Sequence, residues 1–117
     1  MAGYRIDRVS EDIKRELVAV IRELKDPRVM DKLLTVVRVD VSSDASYAKA
    51  YISSIDGIET AKEAVKGLKS ATGYIRREIG KRLHLRKTPE LLFIADDSIE
   101  HGMNIVKIMD DLRTEEE

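Results

Sequence analysis

Residues 59–83 read ETAKEAVKGLKSATGYIRREIGKRL, and the fold turns on how this stretch is divided. Ala61, Val65, Leu68, Ile75, Ile79 and Leu83 recur at helical spacing, which predicts an amphipathic helix. Gly67, Gly73 and Gly80 interrupt it, each at a cost of about 1 kcal/mol relative to Ala in a helix interior. On a wheel of about 100° per residue, Lys66, Lys69, Gly73, Arg76, Arg77 and Gly80 lie within about 60° of Lys62. The apolar set centres roughly 100° away. One face therefore packs inward, and a neighbouring face is basic and carries two glycines. A glycine there lets another backbone approach closely, and free N–H groups at a new helix start attract phosphate. Packing gives no evident reason for the glycines from sequence alone.

Working outward, residues 91–95 after Pro89 form a short apolar run, read as a strand. Before the helical stretch, Val37, Val39 and Val41 alternate with Arg38 and Asp40, and Ala48, Ala50 and Ile52 alternate with Tyr47, Lys49 and Tyr51. That is the pattern of half-buried strands. Ser42-Ser43-Asp44 supplies turn chemistry between them, so residues 34–42 and 47–53 form an antiparallel hairpin. Ser10 is placed to cap a first helix carrying Ile13, Leu17, Val20 or Ile21, and Leu24, ended by Asp26-Pro27. Its expected span is 9–25. Asp97 or Ser98 starts a last helix with Ile99, Met103, Val106, Met109 and Leu112, and 114–117 is an acidic tail. The fold class is α+β: one domain over 1–113, with helices on one face of a three-stranded sheet.

At 117 residues the chain holds one core. Apolar residues make up 43% and charged residues 37%, the balance of a folded domain with a charged surface. With no Cys, disulfides, thiolate metal sites and cysteine nucleophiles are excluded. No apolar run approaches the roughly 20 residues of a membrane span, and residues 1–8 lack a signal-peptide apolar region, so a cytoplasmic location is expected. The net charge of −1 hides an asymmetry: residues 62–87 carry nine cations against two carboxylates, and residues 96–117 carry eight carboxylates against two cations. Phosphate binding follows local charge, so the basic half points to nucleic acid. Lys62, Lys66, Lys69, Arg76, Arg77, Lys81 and Arg82 are the candidate contacts.

Rival chemistries find little support. His84 sits among cations, where a metal is repelled. His101 lies near Asp96, Asp97 and Glu100, but acidic residues in a first helical turn complement the helix dipole. No Gly-x-Ser-x-Gly or phosphate-loop motif occurs. Neither a catalytic residue, a metal nor a cofactor is expected. Tyr47 and Tyr51 are read as edge packing, and Tyr74 follows Gly73. The sequence supports RNA backbone contact better than base reading.

The element order resembles a type II KH domain, in which RNA binds between two consecutive helices. Ala71-Thr72-Gly73 stands where such domains carry Gly-x-x-Gly, and is similar to the Ala-x-Gly kink of the ribosome-binding factor A family. Lys25-Asp26-Pro27-Arg28, Thr35-Val36-Val37-Arg38-Val39 and the run from Pro89-Glu90-Leu91 through Asp96-Asp97-Ser98-Ile99-Glu100-His101-Gly102 also resemble that family. The resemblance covers nearly the whole chain. It implies a non-enzymatic, cold-shock-associated, monomeric factor that binds the free 30S small subunit. Such a factor assists late maturation and processing of 16S rRNA and leaves before translation. It implies that Ala71, Thr72 and Gly73 form the kink at the RNA. The other readings are a protein-interaction module whose basic face meets an acidic partner, and an RNA-processing enzyme.

Overall fold

The computed structural model describes residues 2–98. Helix α1 (Ala2–Glu23) leads to the strands β1 (Leu34–Val41) and β2 (Tyr47–Ser54). Helices α2 (Ile58–Ser70) and α3 (Thr72–Leu83) precede β3 (Glu90–Ala95). The strands lie in the order β1-β2-β3, with β1 antiparallel and β3 parallel to the central β2. Helix α1 packs on β1 and α3, and α2 packs on β2 and β3, so the helices form one layer and the sheet the other. Ile13, Leu17, Val20, Ile52, Leu68, Ile75 and Ile79 are fully buried between them. The α+β order expected from the sequence is the observed one. The proposed last helix and acidic tail lie outside the described residues.

Three local expectations are corrected. Helix α1 begins at Ala2 rather than near Val9. Val9 packs against the core one turn before Ile13, so the apolar stripe continues through Ser10, which sits inside the helix instead of capping it. In β1, the strict alternation breaks at a bulge: the register shifts between Val36 and Arg38. Val36 and Val39 are the buried valines, at 7% and 6% exposure. Val37 is the inserted residue, and an insertion of this kind lets both strand ends keep an inward face.

The third correction concerns the glycines. A Cβ on Gly67 would lie 2.7 Å from Val29 Cγ2 and 3.3 Å from the Asp26 carboxylate oxygen. A Cβ on Gly80 would collide with Thr88 Oγ1. Both glycines are therefore explained by packing. Gly67 lets the α1–β1 loop close onto α2, and Gly80 lets the segment before β3 close onto α3. Gly73 alone has open space, with nothing within 4 Å.

Candidate nucleic-acid interface

The long helical stretch divides at one residue. Ala71 has φ −98 and ψ 10, and its N–H donates to the carbonyls of Gly67 (3.2 Å) and Leu68 (3.1 Å). Thr72 Oγ1 donates to the carbonyls of Lys69 (2.8 Å) and Leu68 (3.2 Å). Ile75 N–H then donates to Ala71 O (2.9 Å), starting α3. Ala71 itself packs against the core. The break thus uses the last carbonyls of α2, which otherwise lack partners, and turns α3 away while keeping Ile75 and Ile79 inward.

The α1–β1 loop braces this junction. The Asp26 carboxylate accepts the backbone N–H of Arg28 (2.8 Å), its Nε (3.0 Å) and its Nη2 (2.7 Å). These hydrogen bonds hold the Asp26 pKa down to about 2. Arg28 Nη2 also donates to Ser70 Oγ (3.3 Å) at the end of α2. In the sequence, the Asp-Pro-Arg segment stood out as a helix stop and as a resemblance. The signal for its structural role is the two-residue spacing of Asp26 and Arg28, which suits a side chain bonding its own turn.

The proposed cations separate into three groups. Arg76 is half-buried and donates from Nη2 to Thr88 O (2.8 Å) and from Nε to Pro89 O (3.2 Å), fixing the chain ahead of β3. Arg82 bridges α3 to α1 through Glu23 (2.8 Å) and Glu16 (4.0 Å) and pairs with Glu78 (3.3 Å) on its own helix, and Glu23 first, then Glu78, raise its pKa. Lys62 pairs with Glu59 (3.5 Å) and Lys66 with Glu63 (3.0 Å) on the exposed surface of α2. Such exposed pairs are weak and screened by salt. Lys69, Arg77 and Lys81 are exposed and have no ion-pair partner among the described residues. Beside Arg77 and Lys81 lies Gly73, also exposed.

Two cations that the candidate set omitted extend this surface. Arg86 and Lys87 are exposed, and the chain immediately after them is held on α3 by Arg76. The net charge of 62–87 already contained them, but the helical wheel ended at Leu83. The aromatic residues also separate. The Arg38 guanidinium lies 4.2 Å from the centroid of the Tyr51 ring, so Tyr51 is engaged within the sheet, whereas Tyr47 (48%) and Tyr74 (41%) are exposed.

Near the end of the described chain, Asp96 accepts the Ser98 N–H (2.7 Å), and hydrogen bonding with the Ser98 side chain, then with this N–H, lowers its pKa, with the Arg38 charge contributing. No group of three His, Cys, Asp or Glu residues suited to a metal occurs among the described residues.

Residues 5–109 match the family model described as ribosome-binding factor A. The chain belongs to the ribosome-binding factor A family. A ribosome-binding factor A of Clostridium tetani is 45% identical over 100% of this chain and 97% of its own length. One of Acetivibrio thermocellus is 49% identical over 92% of this chain and 87% of its own length. Among solved structures, a Thermotoga maritima protein described as a putative ribosome binding factor A superposes with a TM-score of 0.72 at 36% identity. The match covers 84% of this chain and 92% of that one. A homology model of Thermus thermophilus ribosome binding factor A, as fitted into a cryo-EM map of a 30S complex, superposes with a TM-score of 0.63 at 28% identity. That match covers 76% of this chain and 92% of the other. The ribosome-binding factor A fold is thus the fold of this chain, and the family is named for binding rather than for a reaction.

Proposed function

We propose that this protein binds the free 30S ribosomal subunit and assists late maturation and processing of 16S rRNA as a cytoplasmic, monomeric factor active in cold adaptation. Its mechanism is binding without covalent chemistry. The observation that carries the reading is the set of exposed cations around the α2–α3 break, Lys69, Arg77 and Lys81, which pair with no carboxylate among the described residues. Cations without internal partners are available to neutralise phosphates and release their counterions. The Thermus relative fitted in a 30S complex supports the choice of particle. Lys62 and Lys66 contribute after exchanging weak surface partners for phosphate. Ala71, Thr72 and Gly73 set the angle between the two helices at the RNA. Arg76 and Arg82 hold the surface in shape, with contact to RNA secondary to their internal bonds.

Co-sedimentation with isolated 30S subunits, 50S subunits and assembled ribosomes across a salt series tests this. Selective pelleting with 30S subunits, weakened by salt, is expected. Lys69→Gln with Arg77→Gln should reduce the slope of log affinity against log salt by about two, roughly one for each phosphate no longer neutralised. An unchanged slope would remove these residues from the interface. Association that survives nuclease treatment would instead favour an acidic protein partner.

A further inference from the structure

We propose that Tyr74 is a stacking platform for an unpaired RNA base, with Arg77 and Lys81, both further along α3, holding the phosphates that follow on that side. This rests on the RNA-binding reading above and names the class of RNA that the surface prefers.

Tyr74, Arg77 and Lys81 stand at positions i, i+3 and i+7 of α3, so they share one face of the helix. Arg77 lies about 4.5 Å and Lys81 about 10.5 Å along the axis from Tyr74, at 1.5 Å per residue. Tyr74 is 41% exposed. Unlike Tyr51, its ring carries no guanidinium, since Arg38 on Tyr51 is the one such pair among the described residues. The adjacent Gly73 has nothing within 4 Å of where a Cβ would stand, so the space beside the ring is open on that side. The nearest carboxylate on this face is Glu78, which is already paired with Arg82 at 3.3 Å. An aromatic ring left bare beside two such cations matches single-stranded nucleic acid: every base offers a π-face, and its phosphates find the cations. A duplex keeps its bases stacked inside and offers the ring nothing.

The test uses the whole protein with two labelled probes, a short unstructured oligoribonucleotide and the duplex it forms with its complement. Tyr74→Ala should weaken binding of the single strand by about 5- to 150-fold, the range for loss of one base stack. Its duplex affinity should stay unchanged. Tyr74→Phe should keep both affinities. The chain has four Tyr and no Trp, so tyrosine emission reports directly. Wild-type emission should be quenched by the single strand, and Tyr74→Phe should bind without that quenching. Unchanged single-strand affinity in Tyr74→Ala, or an equal loss on both probes, would overturn the proposal. Lys69→Gln with Arg77→Gln separates the two levels of the argument: it should weaken both probes. If it weakens neither, the interface reading has failed as well; if it weakens both while Tyr74→Ala weakens neither, only the stacking role has failed.

Discussion

Replacing Gly67 with Ala sets two opposing effects against each other. Ala favours the helical state over Gly by about 1 kcal/mol, so the substitution should stabilise α2 if nothing were nearby. The added methyl would stand 2.7 Å from Val29 Cγ2 and 3.3 Å from the Asp26 carboxylate, where carbon atoms prefer about 3.5–4.0 Å. Neither neighbour moves freely. Val29 is buried, at 3% exposure, and its β-branched side chain has few rotamers to choose from. Asp26 is tied to Arg28 by three hydrogen bonds. Overpacking of this kind costs about 1–3 kcal/mol, and two restrained neighbours place it toward the upper end. The net expectation is a loss of about 1–2 kcal/mol. Gly73→Ala is the control, because that methyl meets nothing and should stabilise by about 0.5–1 kcal/mol.

At about 4–8 °C per kcal/mol for a small domain, the two Gly→Ala variants should melt roughly 10 °C apart, on opposite sides of the wild type. Circular dichroism melts measure the separation, and urea midpoints at constant slope confirm that it is stability. Val29→Ala should partly relieve the Gly67→Ala penalty, giving a favourable coupling in the double-mutant cycle. If Gly67→Ala melts at or above the wild-type temperature, the close approach of the α1–β1 loop to α2 is wrong.

The Asp26 carboxyl has its folded pKa lowered from 3.8 to about 2 by Arg28. The unfolded chain therefore takes up this proton first, and the stabilisation present above pH 4 is lost as pH falls from about 4 to 2. Asp26→Asn should be less stable than wild type at pH 7, and its stability should fall less steeply over that window; identical acid limbs in urea titrations would contradict the assignment. Arg82→Met leaves Glu16, Glu23 and Glu78 without the cation they share. The variant should unfold at a lower urea midpoint than wild type, with the deficit larger at low salt than at high salt, and an unchanged midpoint would mean that the bridge contributes little.

The periodicities that decide the architecture were legible because each reports a face buried against one layer. Ile13, Leu17, Leu68, Ile75 and Ile79 are fully buried at the spacings that assigned them to helices. The bulge at Val37 was not legible, because four valines in β1 satisfy either register, and only the pairing of Val36 with Ile52 and of Arg38 with Tyr51 distinguishes them. The site shows the same limit. A helical wheel sorts side chains by direction from one axis and knows nothing of what lies in that direction. It therefore grouped Arg76 with Arg77, although the turn before β3 reaches Arg76 and engages its guanidinium with two carbonyls. It also left Gly67 and Gly80 unexplained, because Val29 and Thr88 come from segments outside that helix face. Once the residues engaged by neighbouring segments are set aside, a smaller, sharper surface remains: Lys69, Gly73, Tyr74, Arg77 and Lys81, held by a structural frame of Asp26, Arg28, Arg76 and Arg82. Charge on the frame sets the geometry, and charge on the remainder is free for a partner, so substitutions in the frame should move stability and those at Lys69, Tyr74, Arg77 and Lys81 should move affinity.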